Sequence, residues 1–319
     1  MANDSRNTLS ETVAEPKRRS FLVDLVIRLV KEKPLGTIGG IIVLILFLTG
    51  IFADLLAPYG MNQIHLIDRL SGPSPQYLLG TDHLGRDILS NIIYGARISM
   101  IIGLCATTVG TFLATAIGSI SGLVGGKFDL VVQRFVDAWM SMPQLLILLT
   151  VMTIVGRGMA QIIFVIGITS GIRVSRLVRG ATISIRENVY MEAAEAIGCS
   201  FWRLLTRHIL PNILAVIVID FTIRMGAAIM MEASLSFLGF GVPPGVPSWG
   251  SMLSGEGRQF MEVAPQLAIW PGLSLSIVVY GINMFGDALR DLMDPRLRGG
   301  IGRYTATKGR KKLEEKVKE

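Results

Sequence analysis

The stretch ISMIIGLCATTVGTFLATAIGSISGLVGG, residues 98–126, contains no Asp, Glu, Lys or Arg. A helix needs about 20 apolar residues to cross the hydrocarbon core of a bilayer. This stretch is longer than that, and it does not stand alone. Pro34–Ala53, Ala138–Gly156 and Val263–Gly286 are equally free of charge. Two further windows are less clean. Gly158–Ile172 runs toward Arg173 and Arg176, whose long stems can carry their charges to the interface. Ile209 to about Leu238 is apolar but includes Asp220, Arg224 and Glu232. The pattern predicts an all-α, polytopic membrane protein with six transmembrane helices.

Composition agrees. Of 319 residues, 50% are hydrophobic and 17% charged, with mean hydropathy +0.53. A soluble domain carries about 25% charged residues. The apolar content also excludes disorder. Two cysteines, Cys105 in the second span and Cys199 in a loop, cannot build a disulfide framework.

Lysine and arginine placement sets the orientation. Residues 1–33 hold seven: Arg6, Lys17, Arg18, Arg19, Arg28, Lys31 and Lys33. Residues 54–96 hold only Arg69 and Arg86, residues 173–207 hold six, and the tail from 290 holds ten. With six alternating spans, the basic segments all fall on one side, together with the turn at Lys127. Both termini and the 173–207 loop are therefore expected in the cytoplasm. The net charge of +7 is explained by topology, with no nucleic-acid partner. The first apolar run is too long for a signal h-region and lies behind a polar leader, so it reads as an uncleaved anchor. Phe21, Leu22, Leu25, Val26, Leu29 and Val30 recur at helical spacing among basic residues, which suits an interfacial helix. No internal repeat is visible, so the halves of a secondary transporter are not apparent.

Within the second span Gly110, Ala114, Gly118, Gly122 and Gly126 lie four apart. Small residues at that spacing let helix backbones approach closely, and tight packing is a simpler role for them than a pore lining. Charges inside a membrane are costly and often functional. Asp220 and Arg224 are four apart and can neutralise each other, with Glu232 two turns beyond. They are either an internal ion pair or part of a translocation path. Arg134 and Asp137 pose the same choice, with the structural role favoured.

Between the fourth and fifth spans lies RENVYMEAAEAIGCSFWRLLTRHILPN, Arg186–Asn212. Ala193, Ala194 and Ile197 are expected on one face of a short helix, and Gly198 at its reversal. Phe201, Leu204 and Leu205 suggest a second short helix, and Pro211 opens the fifth span. An amphipathic element outside the membrane needs a cover, either the bilayer surface or a protein groove.

Here the sequence resembles a known family. Glu192-Ala193-Ala194, Gly198 after three residues, and His208-Ile209-Leu210-Pro211 after nine more are similar to the EAA loop of ABC importer permeases, which usually has an aliphatic residue at the place of His208. Leu79-Gly80-Thr81-Asp82, Gly85-Arg86-Asp87, Ser90 and Tyr94-Gly95-Ala96-Arg97 resemble the segment before span two in dipeptide, oligopeptide and nickel permeases, with Asn91 departing from an Arg often seen there. The run Glu232–Gly241, then Pro247-Ser248-Trp249-Gly250, resembles the loop after span five. Gly286-Asp287, Leu289-Arg290-Asp291 and Asp294-Pro295-Arg296 resemble the family's C-terminal end. The match is to the C-type subunit and covers residues 20 to 299.

The resemblance implies a type I ABC importer permease fold and a place in a bacterial or archaeal cytoplasmic membrane. It also implies partners: a homologous B-type permease subunit, two ATP-binding subunits, an extracytoplasmic solute-binding protein and the lipid bilayer. Glu192, Ala193, Ala194, Gly198, Leu210 and Pro211 would form the ATPase-coupling element. The expected organisation is a cytoplasmic tail with an interfacial helix (1–33), a first transmembrane helix (34–56) and an external loop (57–96). A core domain of helices two to six (97–290) then contains the coupling loop (186–211), and a basic cytoplasmic tail follows (291–319). The expected substrate is a di- or oligopeptide, with nickel, glutathione or a glycan as alternatives on the same mechanism.

Other chemistries find no support in the residues. Asp82, His83 and Asp87 form no arguable metal site. The nearest approach to a Walker A loop is Gly126-Lys127, but Ser121 stands at the first glycine and Phe128 follows the lysine. His65 and His83 are external and His208 is in the loop, so they cannot share one site. No catalytic residue, cofactor or metal is expected. A self-sufficient secondary transporter or channel would have only Asp220, Arg224 and Glu232 to work with. A membrane enzyme or a non-transporting scaffold has no motif in its favour.

Overall fold

Leu48 to Ile51 give way to Arg97 at one corner of the helix bundle, and that corner shows how the chain is held. The computed structural model describes residues 21–293; the leader, Asp294-Pro295-Arg296 and the basic tail lie outside the described residues. Helix α1 (Phe21–Glu32) leads into α2 (Pro34–Ile51), and α3 (Ala53–Leu56) turns the chain away. Helix α4 runs over Ile88–Val124, starting ten residues earlier than the uncharged window because Asp87 caps it by accepting from Ser90 N at 2.8 Å. Arg97 therefore lies inside α4. Its Nε donates to Gly50 O at 2.8 Å and its Nη2 to Asp54 at 2.8 Å, so it caps the end of α2.

Helices α5 (Gly126–Ser141) and α6 (Gln144–Val155) meet at 90°. The third uncharged window straddles this elbow, so it is not one straight span. The reason is Pro143, which lacks an N–H and forces Met142 into an extended conformation (φ −89°, ψ 139°). Arg173 donates to the freed Met142 carbonyl at 2.8 Å. Among the described residues, five helices are long and apolar enough to cross a membrane, and the elbow pair makes six if it counts as one span.

Helix α7 (Met159–Arg186) continues well past Ile172 into the region expected to be loop. Then follow α8 (Val189–Ala196), α9 (Phe201–Arg203), a π-helical turn (Leu204–Ile209) and α10 (Leu210–Phe237). The expected second short helix is thus not separate. It runs directly into α10, with Leu210 N bonding five residues back to Leu205 O. Pro211 cannot donate in an α ladder, and the wider turn accommodates it. Helices α11 (Trp249–Leu253), α12 (Gly255–Gln259) and α13 (Gln266–Met293) complete the described chain.

The main seam lies between α4 and α7. A side-chain carbon at Gly118 would stand 2.4 Å from Ser175 O, and one at Gly122 2.9 Å from Thr182. Gly110 faces Gly167 and Gly171. The predicted stripe is therefore a packing seam, with one exception. Gly126 has nothing within 4 Å; it adopts φ +59° at the turn into α5.

Helix α11 dips back into the bundle against α4, α10 and α13. Trp249 is buried, its Nε1 donates to Ile92 O at 3.1 Å, and its ring fills the space left by Gly95. Gly250 lies flush on Ala233. Replacing Trp249 by Ala should cost about 3–5 kcal/mol, seen as a lower melting temperature of the detergent-solubilised protein. An unchanged melting temperature would mean that this wedge holds nothing.

Candidate functional site

Two regions carry the candidate residues, one at each end of the bundle. Lys33 Nζ bonds Asp291 at 2.6 Å, so the start of α2 and the last turn of α13 share one end. Asp129 on α5 joins that end through a two-pronged bond from Arg179 on α7 and one from Ser121. Arg157, after α6, lies beside Gly239, at the opposite end, where α10 stops. The elbow pair thus carries the chain from one end to the other.

At the Lys33 end, α8 stops in a reversal built by Gly198. Its φ of +81° suits glycine alone, its N–H reaches Glu195 O at 2.9 Å, and Cys199 N reaches Ala194 O at 3.1 Å. Asn188 donates to Ser184 O and Ile185 O, closing the end of α7. Met191 and Ala194 face inward, packing with Leu204, Leu205 and Ile209 on Val174, Val178 and Leu123. Ala193 and Ile197 do not join Ala194 on that face. They are exposed, with Ile197 82% accessible and Val189 79%. The periodicity located the helix and grouped these three residues on one face; the structure splits them, with Ala194 beside Met191 in the core and Ala193 and Ile197 turned outward. Glu192 is also exposed, next to Glu187 and Glu195 around a shallow pocket. Leu210 and Pro211 belong to the start of α10 and not to this outward face.

The intramembrane charges separate. Arg224 Nε bonds Asp220 at 2.6 Å along α10, a self-contained pair. Glu232 does not join them. It is fully buried, accepts from Ser236 Oγ at 2.6 Å, and its other oxygen has no hydrogen-bond partner among the described residues. Asp137 finds Arg176 on α7 in addition to Arg134 at 4.0 Å, a cross-helix contact that residue spacing could not reveal.

At the opposite end the Leu79–Ser90 segment is knitted tightly. Asp82 accepts from Leu84 N and Arg86 N at 2.8 Å and from Arg86 Nε at 2.6 Å. Its oxygens are spent within the loop, and those of Asp87 serve the α4 cap. Beneath this loop and the loop after α10 lies a cavity of ≈ 550 Å³ that the sequence did not foreshadow.

This architecture has known counterparts. The profile of the binding-protein-dependent transport system inner membrane component matches residues 114–299. The chain belongs to that family. Residues 20–73 match the N-terminal transmembrane domain of oligopeptide transport permease C. The permease is 40% identical over 261 residues to the glutathione transport system permease protein GsiD of Pectobacterium atrosepticum, covering 82% of this chain and 86% of that one. It is 37% identical over 287 residues to the dipeptide transport system permease protein DppC of Alkalihalophilus pseudofirmus, covering 90% and 92%. A solved structure of the MetNI methionine ABC transporter in inward-facing conformations matches with a TM-score of 0.51 at 18% identity, over 64% of this chain and 96% of that one. It shares the fold. The permease is therefore a multi-pass inner membrane protein of the peptide and glutathione branch of ABC importers. It is a non-catalytic subunit whose system includes a binding protein and an ATPase.

Proposed function

We propose that the permease forms a translocation path for di- or oligopeptides together with a homologous B-type subunit. Two ATP-binding subunits clamp it from the cytoplasm, and a solute-binding protein delivers substrate from outside. The observation that carries this reading is the outward face of α8. Val189, Ala193 and Ile197 offer exposed apolar area beside exposed Glu192, on a helix fixed from behind by Met191 and Ala194 and stopped by Gly198. That is the form of a rigid knob for a groove. Glu192, Ala193, Ala194 and Gly198 make and brace the knob, and Leu210 and Pro211 pass its movement into α10. Closure of the ATPases would then bias two bistable arrangements of the helices.

The Lys33–Asp291 contact supports the same reading of the topology, with both termini on the cytoplasmic side together with α8. We keep the organisation read from the sequence as part of this proposal: tail, anchor helix, external loop, core with its coupling loop, basic tail. The Asp220–Arg224 pair serves best as an internal ion pair.

The test is uptake of labelled dipeptides, tripeptides and glutathione, and of nickel, in cells with and without the chain. Loss of peptide uptake on deletion, restored by the intact gene, is expected. Glutathione is the second substrate reading, favoured by the GsiD likeness, and its uptake would be lost instead. Unchanged uptake of every peptide and of glutathione would refute the substrate class.

A further inference from the structure

The cavity at the Arg157 end has features of a small-ligand site. Its volume, ≈ 550 Å³, falls in the range of ligand pockets. Its walls are mostly apolar and partly rigid, the Pro243–Pro247 loop forming one side. Of the polar side chains that line it, three bear on a charged ligand. Asn91 is 4% exposed and lines the cavity, yet its side-chain amide makes no hydrogen bond among the described residues. A buried amide left unsatisfied is costly, and the open side of this one is the cavity. Arg157 also lines it and has no carboxylate partner among the described residues. The third feature, Arg86, is already neutralised by Asp82 at 2.6 Å. The cavity therefore presents an exposed arginine without a carboxylate partner and a buried amide, the second with both donor and acceptor capacity.

We propose that this cavity receives the substrate on its way from the binding protein, taking the free carboxylate of a short peptide. Arg157 pairs with the carboxylate and the Asn91 amide bonds the neighbouring peptide unit. The apolar walls accept side chains with little discrimination. A bare divalent cation is disfavoured by Arg157, and a neutral glycan would leave its charge unpaired. The inference rests on the importer reading above and adds a recognition step within the permease itself.

The test uses the full transporter complex in nanodiscs, without the binding protein, and a dipeptide carrying p-benzoylphenylalanine at its N-terminal position. Illumination should attach the probe to residues 239–252. Excess unlabelled dipeptide should suppress the adduct, and the same dipeptide with an amidated C-terminus should not. Arg157→Gln and Asn91→Leu should each reduce labelling at least fivefold. Competition by glutathione as strong as by the dipeptide supports the site, with the substrate moved to glutathione. Labelling unaffected by either variant, or adducts confined to other segments, overturns the site even if cellular peptide uptake depends on the chain. Peptide and glutathione uptake independent of the chain overturns the importer reading and the site with it. Because Asn91→Leu could disturb α4, the melting temperature of each solubilised variant complex is measured beside it, and Arg157→Gln, which lies after α6, decides the test alone if the Asn91→Leu complex melts below the parent.

Discussion

Replacing Gly118 by Leu should abolish accumulation of the folded protein in the membrane. The position faces backbone: a side-chain carbon there would stand 2.4 Å from Ser175 O and 2.8 Å from Arg179 N. Neither atom can swing aside as a flexible side chain would. Helices α4 and α7 must separate along a seam that also includes Gly110, Ala114 and Gly122. In a bilayer no hydrophobic force pulls them back together, because association depends on close van der Waals packing. Overpacking a tight interior costs about 1–3 kcal/mol when neighbours can shift, and more here, where they cannot. Arg179 would also lose its place opposite Asp129. Membrane abundance and the melting temperature of the solubilised protein are the readouts. Gly180→Ala is the control, since nothing lies within 4 Å of that position, and it should leave both unchanged. A Gly118→Leu protein that accumulates and melts like the parent would refute the seam as the organising contact.

The second large effect is on transport alone. Gly198→Pro should bring uptake to background while the chain still inserts. Proline holds φ near −65°, and this position requires +81°. The reversal after α8 would be lost, along with the bonds from Gly198 N to Glu195 O and from Cys199 N to Ala194 O. The outward face would no longer be aimed. Gly198→Ala keeps the N–H and pays only the left-handed strain of about 1–2 kcal/mol, so it should retain part of the activity. Glu192→Lys leaves the helix intact, because the side chain is exposed, yet reverses the charge of the knob, and it too should abolish uptake. Peptide uptake and ATP turnover measured in parallel separate the cases, since uncoupling leaves ATP turnover insensitive to the loaded binding protein. Normal uptake by Gly198→Pro and by Glu192→Lys would end the coupling assignment of α8.

The spans and the short helix with its Gly198 reversal were legible because their signals are local. An uncharged window of membrane length, or Glu192-Ala193-Ala194 followed by Gly198, needs no knowledge of the rest of the chain. The α4 stripe was equally readable, but its counterpart Gly167, Gly171 and Ser175 on α7 went unnoticed, since only the pairing gives it meaning. What remained hidden depends on contacts between distant segments. Asp137 meets Arg176, Glu232 separates from Asp220 and Arg224, and Asn91 opens into a cavity shared by four stretches of chain. The elbow is a middle case. Pro143 was visible inside an apolar window, but composition alone does not tell a bend from a span. The separation of Ala194 from Ala193 and Ile197 could not be read along the chain, because only packing against Leu204 and Leu205 decides which side of α8 turns inward.

The elbow also has a consequence for biogenesis. Helix α6 has 12 residues, well short of the roughly 20 that an independently inserted segment needs. As the nascent chain emerges, this segment cannot be expected to partition into lipid and stay there alone. Its broken backbone at Met142 is satisfied by Arg173, which is synthesised some thirty residues later. The third crossing is therefore a delayed one, completed only when α7 arrives to hold it. A ribosome stalled before residue 173 should leave α4 anchored and α6 still reachable from the aqueous side, with its topology not yet decided.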